Sequence, residues 1–529
     1  IHHQLPEKLG GEYFTRLDMV VGVGLKMFGE LEELRLANRS IRDIKEQVGG
    51  FSYGRLNTLV TYYEEFYRML NEKGYSTGAT RIQAVAGGST KIDFPEFDRI
   101  ILAGFYALTP MDRTIFRTML RSESVHMIFQ QGPGLQKQIQ ELGLEPEVVP
   151  GRMGGTKYSF HKAPDAHGQV FALSGLIKQL IDGGDALDQN NAIVVPASEA
   201  LFPVFHQALA MIREDQYNIS LGYPLSRTPL YAFFSNLMDL VSFEQNGRLS
   251  ASSYMKFVLH PYVKNIRFST RTDITRVLFH TLEEYFTESK MESSFLLADV
   301  EGEQAIFDRA ARRLSASGES ISASLLKEHL KKIHDMTIRK FLDFKSVGEF
   351  AERGIELVKF IYTHTTARLH PLFRPYAEQL IGTFRSLAGS LVASQHLQDR
   401  LAYGVLLRSY VGREQVPFPG TPLRGLQVLG LLETRNLSFD RVFILDASDD
   451  VIPGRAGDMM LPQAAREKLG LDTARDREKL VEYYLHLLLS GAKEVHFFFT
   501  EDGRKEKSRL LEKLLWDKEK SGPRWSGDE

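Results

Sequence analysis

Two glycine-rich runs that end in lysine, AGGSTK (86–91) and RMGGTK (152–157), contain the residue types of a phosphate cradle. Such a cradle needs the order G-x-x-x-x-G-K-[ST]: backbone N–H groups surround the phosphates, while the lysine and hydroxyl address phosphate and magnesium. Both runs have their glycines and lysine in another order, and their composition is that of ordinary turns. Pro164-Asp165 is not followed at a suitable distance by a strand bearing Glu-x-Lys, so it does not open a nuclease constellation. His364 and His370 in THTTARLH stand six apart, a poor spacing for one helix face, and there is no H-E-x-x-H. The sequence contains no cysteine, which excludes disulfides, zinc–thiolate sites and iron–sulfur ligation by these residues.

The elements that position these residues alternate between helix and buried strand. EYFTRLDMVVGVGLKMFGELEEL and GRLNTLVTYYEEFYRMLNEKG carry apolar residues at three-to-four spacing and predict helices. DRIILAGF is a short apolar run suited to a parallel strand. It is followed by TPMDRTIFRTML, with Thr109 as N-cap and Pro110 at the first helical position, and then by the strand VHMIFQ. NNAIVVPASEALFPVFHQAL predicts strand then helix, and YNISLGYPLSRTPLYAFFSNLMDLV predicts strand, turn and helix. Residues 242–415 read as almost purely helical, with ASLLKEHLKKIHDMTIRKFLDF and AEQLIGTFRSLAGSLVAS clearly amphipathic. The Pro- and Gly-rich EQVPFPGTPLRG (414–425) marks a boundary. LQVLGLLE, DRVFILDA and EVHFFFTE then supply three strands, with DREKLVEYYLHLLLSGAKE as a helix before the last.

A chain of 529 residues holds roughly three to four domains at about 150 residues each. Lys and Arg total 65 against 67 Asp and Glu, so a nucleic-acid partner requires a locally basic face. No run of about 18 apolar residues predicts a membrane span, and IHHQLPEKLGG lacks the apolar stretch of a signal peptide. The expected location is cytoplasmic. Ile1 in place of Met, and SGPRWSGDE after a helix-like run, fit an interior piece of a longer protein.

Four phrases in order resemble superfamily 1A helicases, and most closely the AddB-type and RecC-like subunits of bacterial helicase–nuclease complexes, PD-(D/E)XK nuclease family proteins. They are DRIILAGFYALTPMDRTIF, ISLGYPLSRTPLYAFFSNLMDL, LQVLGLLETRNLSFDRVFILDASDDVIPG and EYYLHLLLSGAKEVHFFFTEDGRKEKSRLLEKLLW. The resemblance implies an α/β fold of two RecA-like (P-loop NTPase-like) parallel-sheet domains with helical insertions. Its implied division is 1–80 helical insertion, 81–165 remainder of the first RecA-like domain, 166–241 start of the second, 242–415 helical insertion, and 416–529 the rest of the second. ATP with magnesium, and an iron–sulfur cluster, would belong to segments outside this sequence or to a partner.

The resemblance also implies that the nucleotide chemistry is lost. Active relatives place Asp-Glu where this sequence has Ala103 and Gly104, and an arginine where it has Gly491. Arg435 stands where the coupling lysine would be, and Thr434 and Asn436 could bond phosphate. Single-strand sites combine cations with stacking aromatics, each stack contributing about 1–3 kcal/mol. The candidates are therefore Tyr223, Arg227, Thr434, Arg435 and Asn436, with Lys331, Lys332, Arg339 and Lys340 in the helical insert. The plainer readings are turn packing for Tyr223, a solvated helix face for the lysine run, and a surface ion pair to Glu433 for Arg435. The leading expectation is a non-catalytic DNA-binding region partnered by an AddA- or RecB-like motor. The alternatives are an ATP-dependent helicase whose phosphate loop lies outside the sequence, and a protein–protein scaffold without a DNA role.

Overall fold

A computed structural model describes residues 17–48, 54–88, 94, 96–149, 155–288, 293–418, 424–454, 459–501 and 505–521. Residues 89–91 of AGGSTK, 152–154 of RMGGTK, 419–423 of the boundary run, all of IHHQLPEKLGG and all but the first residue of SGPRWSGDE lie outside them. The chain is mixed α/β and divides into two compact units, chiefly 23–221 with 418–529, and 222–417.

Strands β1 (Ile100–Ala103), β2 (Val125–Ile128), β3 (Lys157–Ala163), β4 (Asn191–Val194) and β5 (Tyr217–Ser220) come first. The segment 222–417 holds β6 (Gly222–Pro224), β7 (Arg248–Ser250), β8 (Ser294–Leu296) and β9 (Gln415–Pro417). β10 (Leu426–Leu429), β11 (Arg441–Ile444) and β12 (Glu494–Thr500) follow. Six of these form one sheet in the order β3-β12-β11-β4-β10-β5, parallel at every pairing. β3, from the 81–165 segment, therefore bonds along its length to β12, from the 416–529 segment.

Parallel strands inside a sheet are covered on both faces, which is why β4 and β10 are buried throughout instead of alternating, whereas β3 at the edge keeps Lys157 and Lys162 exposed. Val495, Phe497 and Phe499 of β12 join Val442, Ile444, Ala192 and Val194 in a core closed by Leu485, Leu488 and Leu489 of the Ala474–Gly491 helix and by Leu510 and Leu511. Thr500 of β12 faces the other way, toward Gln169 on the Ala166–Asp182 helix. Each fully buried Val, Leu or Phe stabilises by about 1.5–3 kcal/mol, so alternate residues of a single strand hold both layers.

β1 and β2 pair in parallel, joined by the Pro110–Met119 helix. Thr109 caps that helix in a reciprocal box with Asp112, and Pro110 fills the first helical position, as the sequence leads one to expect. A difference appears after β4. In place of one helix, residues 198–211 run through short 3-10, α and π turns. Pro203, five residues into this run, has no N–H to donate to the carbonyl four residues back, so the ladder lacks a bond there.

In the second unit, helices surround an aromatic core that includes Phe233, Phe234, Phe350 and Phe384. The stretch 242–415, expected to be almost purely helical, also contains the short antiparallel ribbon β7–β8, and a second ribbon, β6–β9, pairs the segments that flank it. β7 follows a turn in which Asn246 and Gly247 both adopt positive φ, the conformation that these residues tolerate best. Among the described residues, no helix is long and apolar enough to cross a membrane.

Candidate nucleic-acid interface

The loop from β10 to β11 is an exposed polar arch between two apolar anchors. Leu431 and Phe439 are buried in the sheet core, while 435–438 are exposed. Leu432–Thr434 makes one 3-10 turn, and Asn436 then takes a left-handed φ of 60°. Asn visits that region readily because its short amide can bond locally. Thr434 is buried, and its hydroxyl donates to the Leu431 carbonyl at 2.6 Å, so this candidate serves the turn.

Arg435 is exposed. Its Nε donates to the Leu432 carbonyl at 2.7 Å, and its guanidinium lies 5.7 Å from the centre of the Tyr484 ring. It has no carboxylate partner among the described residues; the Glu433 carboxylate packs instead toward Gly430. Arg435 therefore keeps its charge for an external anion. Further along, Ser438 Oγ donates to the Gly491 carbonyl at 3.3 Å, and Lys493 pairs with Asp440 at 2.9 Å.

The arch meets the end of β1. Gly104 follows the strand at φ 79°, and a Cβ placed there would collide with the side-chain amide of Asn436. Ala103, the residue before it, is exposed and carries only a methyl group. Two residues on, Tyr106 stacks on Tyr483 of the Ala474–Gly491 helix, with ring centres 3.9 Å apart and planes at 19°. Tyr483 donates its hydroxyl to the Gln130 carbonyl at 2.7 Å, and Tyr106 donates to that of Pro133 at 3.1 Å. Burial pushes the Tyr483 phenol up to about 12 and raises that of Tyr106, so both remain neutral donors. At this contact the space beyond β1 is filled by an amide and two stacked rings.

The end of β11 has the opposite composition. Asp446, Asp449 and Asp450 follow the strand within six residues. Asp446 is buried at positive φ; its N–H donates to Gln169 Oε1 at 2.8 Å, and its carboxylate accepts from Gln169 Nε2 at 3.2 Å. Lys505 stands 3.9 Å from both Asp446 and Asp450. Asp449 accepts from the Arg509 N–H at 3.1 Å and lies 3.6 Å from the guanidinium of the same residue. Each acid thus has its own internal partner.

Of the residues singled out in the sequence, Thr434, Arg435 and Asn436 gather with Gly104 and Gly491 in the first unit. Tyr223 and Arg227 belong to the second. Tyr223 is half-buried on β6 opposite Val416, and Arg227 is exposed in the turn before the Thr228 cap. Lys331 and Lys332 are exposed, whereas Arg339 pairs with Glu301 and Asp335, and Lys340 with Glu356. Those last two are occupied by structural pairs. Sequence reasoning missed Tyr106, Tyr483 and Gln169; the clustered Gly132 and Gly134, which admit the two rings closely, were the available signal for the tyrosines.

No family model matches the chain, and no curated protein matches it significantly.

Proposed function

We propose that this chain is an inactivated superfamily 1 helicase-like region that holds DNA, as a subunit of the AddB or RecC type does within a helicase–nuclease machine. On this reading the two parallel-sheet parts descend from RecA-like domains, and the 222–417 unit corresponds to a helical insertion. ATP hydrolysis belongs to a partner motor of the AddA or RecB type, and strand cleavage lies outside these residues.

One observation carries the reading. At the end of β1, where a motor needs carboxylates for magnesium, the chain has Ala103 and Gly104, and Asn436 packs its amide against that glycine. Neither residue can bind a cation or accept a proton, so the chemistry of phosphoryl transfer has no anchor there. The exposed and unpaired Arg435 on the adjoining arch retains a phosphate-binding cation. Loss of the metal ligands beside a kept cation is what a DNA-holding relic of a motor requires.

Gel retardation of single-stranded and forked DNA by the purified chain tests this directly. Salt-dependent binding is expected, with the affinity falling as counterions compete for the phosphates. Absence of retardation at low salt would remove the DNA role and leave the scaffold reading.

A further inference from the structure

The helical unit contains a cavity of about 240 Å³ that the DNA reading does not use. It lies between the turn at 267–271 and the helices Ala323–Met336 and Val347–His364. Phe268 and Arg271 exchange backbone hydrogen bonds across that turn, at 2.7 and 3.0 Å, with Ser269 at φ 55° between them. The Arg267 N–H donates to the His364 carbonyl at 2.7 Å, which fixes the turn onto the end of the second helix.

The lining combines unusual chemistry. Arg267 and Lys332 both reach the cavity, and neither has an ion-pair partner among the described residues. Elsewhere in the same unit, Arg271, Arg313, Arg339, Arg353 and Arg400 are paired with carboxylates, whereas others such as Lys331 and Arg385 have no such partner among the described residues, so what marks Arg267 and Lys332 is that they line one cavity. His364 donates Nδ1–H to the Phe360 carbonyl at 3.1 Å and stacks on the Phe360 ring at 4.5 Å. Phe268 presents an aromatic wall, held edge-on against His329 at 5.1 Å. Glu328 is the single carboxylate of the lining.

We propose that this cavity binds a nucleoside 5′-monophosphate, either free or as the terminal nucleotide of a strand. A phosphate monoester carries about −1.5 to −2 charge at neutral pH, which matches two unpaired cations where a carboxylate would satisfy only one. Phe268 offers apolar surface to a flat ring, with Phe360 buried beneath His364, and Glu328 accepts hydrogen bonds from sugar hydroxyls. At about 240 Å³ the cavity is smaller than the about 300–1,000 Å³ of pockets that enclose drug-sized ligands, so it holds a nucleotide only in part and leaves the rest in solvent. The site stands apart from Arg435 and the arch, and so from the reading of that loop.

Calorimetric titration of the whole chain with adenosine 5′-monophosphate, adenosine and inorganic phosphate at pH 7.5 tests the assignment. The monophosphate should bind at least about tenfold more tightly than adenosine, the effect of one charge-assisted contact. Arg267→Met and Lys332→Met should each weaken it by roughly tenfold or more, and Lys178→Met, in the other unit, should leave it unchanged. Lys332 is an exposed helix residue, so its variant remains readable should the Arg267 change disturb folding. Oligonucleotides with and without a 5′-phosphate separate the sources: a phosphate-dependent gain assigns the strand end, and binding of the free monophosphate alone assigns the small molecule. Equal affinity for adenosine and its monophosphate, absence of binding at millimolar monophosphate, or indifference to Lys332→Met would overturn the proposal. DNA retardation that persists when monophosphate binding fails would overturn this inference alone.

Discussion

The C-terminal ends of β1 and β11 are equivalent places in parallel sheets, the side on which such folds collect ligand chemistry, yet they are built oppositely. β1 runs into Ala103 and Gly104, without a charge, and is capped by the Asn436 amide. β11 runs into Asp446, Asp449 and Asp450, and Gln169, Lys505 and Arg509 hold those acids from within the same unit. One end lacks the acids a cation needs; the other has acids whose bonding is already internal. Counting carboxylates at a strand end therefore misjudges both. What matters is whether the charge has an internal partner, and by that measure the described cation that stands out on the adjoining arch is Arg435.

Substitutions at the two ends would break or sharpen this contrast. The largest effect is expected from Gln169→Leu. It removes the bonds to the Asp446 backbone and carboxylate and to Thr500, and leaves a buried carboxylate with only a distant lysine. A loss of roughly 2–4 kcal/mol in urea unfolding is expected; a change below about 0.5 kcal/mol would show that the acids of β11 are not held as described. Gly104→Ala comes next, at about 1–2 kcal/mol for an L-residue in the left-handed region. Adding Asn436→Gly should return only the part of the loss due to the clash, so a double variant that unfolds like the Gly104→Ala single would show that Asn436 does not press on that site. Arg435→Ala should cost at most about 1 kcal/mol in unfolding, for its contacts to Leu432 and Tyr484, while lowering the slope of log affinity against log salt for single-stranded DNA by roughly 0.7, the share of one phosphate contact. An unaltered slope would remove Arg435 from the interface.

The smallest effect concerns acid. His161 and His496 sit side by side on β3 and β12, 3.1 Å apart, and burial holds both imidazoles below their ordinary 6.5. A histidine whose folded value is depressed contributes its stability fully above the unfolded value, and that contribution is lost as pH falls below about 6.5. Stability of the sheet unit should therefore slope downward from pH 7 to 5, and His161→Phe should flatten the slope. A variant as acid-sensitive as the parent would place the effect elsewhere.

Strand runs such as AIVV and VFIL were legible because both faces of a parallel sheet demand apolar residues, and Thr109-Pro110 because a cap and a proline act locally; IIL was legible by composition although Ile101 is exposed. The broken helix after β4 was less legible: Pro203 was visible, but periodicity continues on either side of it. The order β3-β12-β11-β4-β10-β5 could not be read at all, since no local pattern says that Lys157–Ala163 bonds to a strand more than 300 residues later. At the candidate site, Arg435 and Asn436 were nameable from their types. Burial of Thr434 and the stack of Tyr106 on Tyr483 were not, because hydroxyl direction and ring contacts depend on residues distant in sequence.

The central claim is that these residues hold DNA without nucleotide. Fluorescence anisotropy of labelled forked DNA, titrated with the purified chain with and without ATP and magnesium, reads it in one experiment. The account expects salt-dependent binding of equal strength in both conditions. Binding that appears only with ATP and magnesium, or none in either, would contradict it.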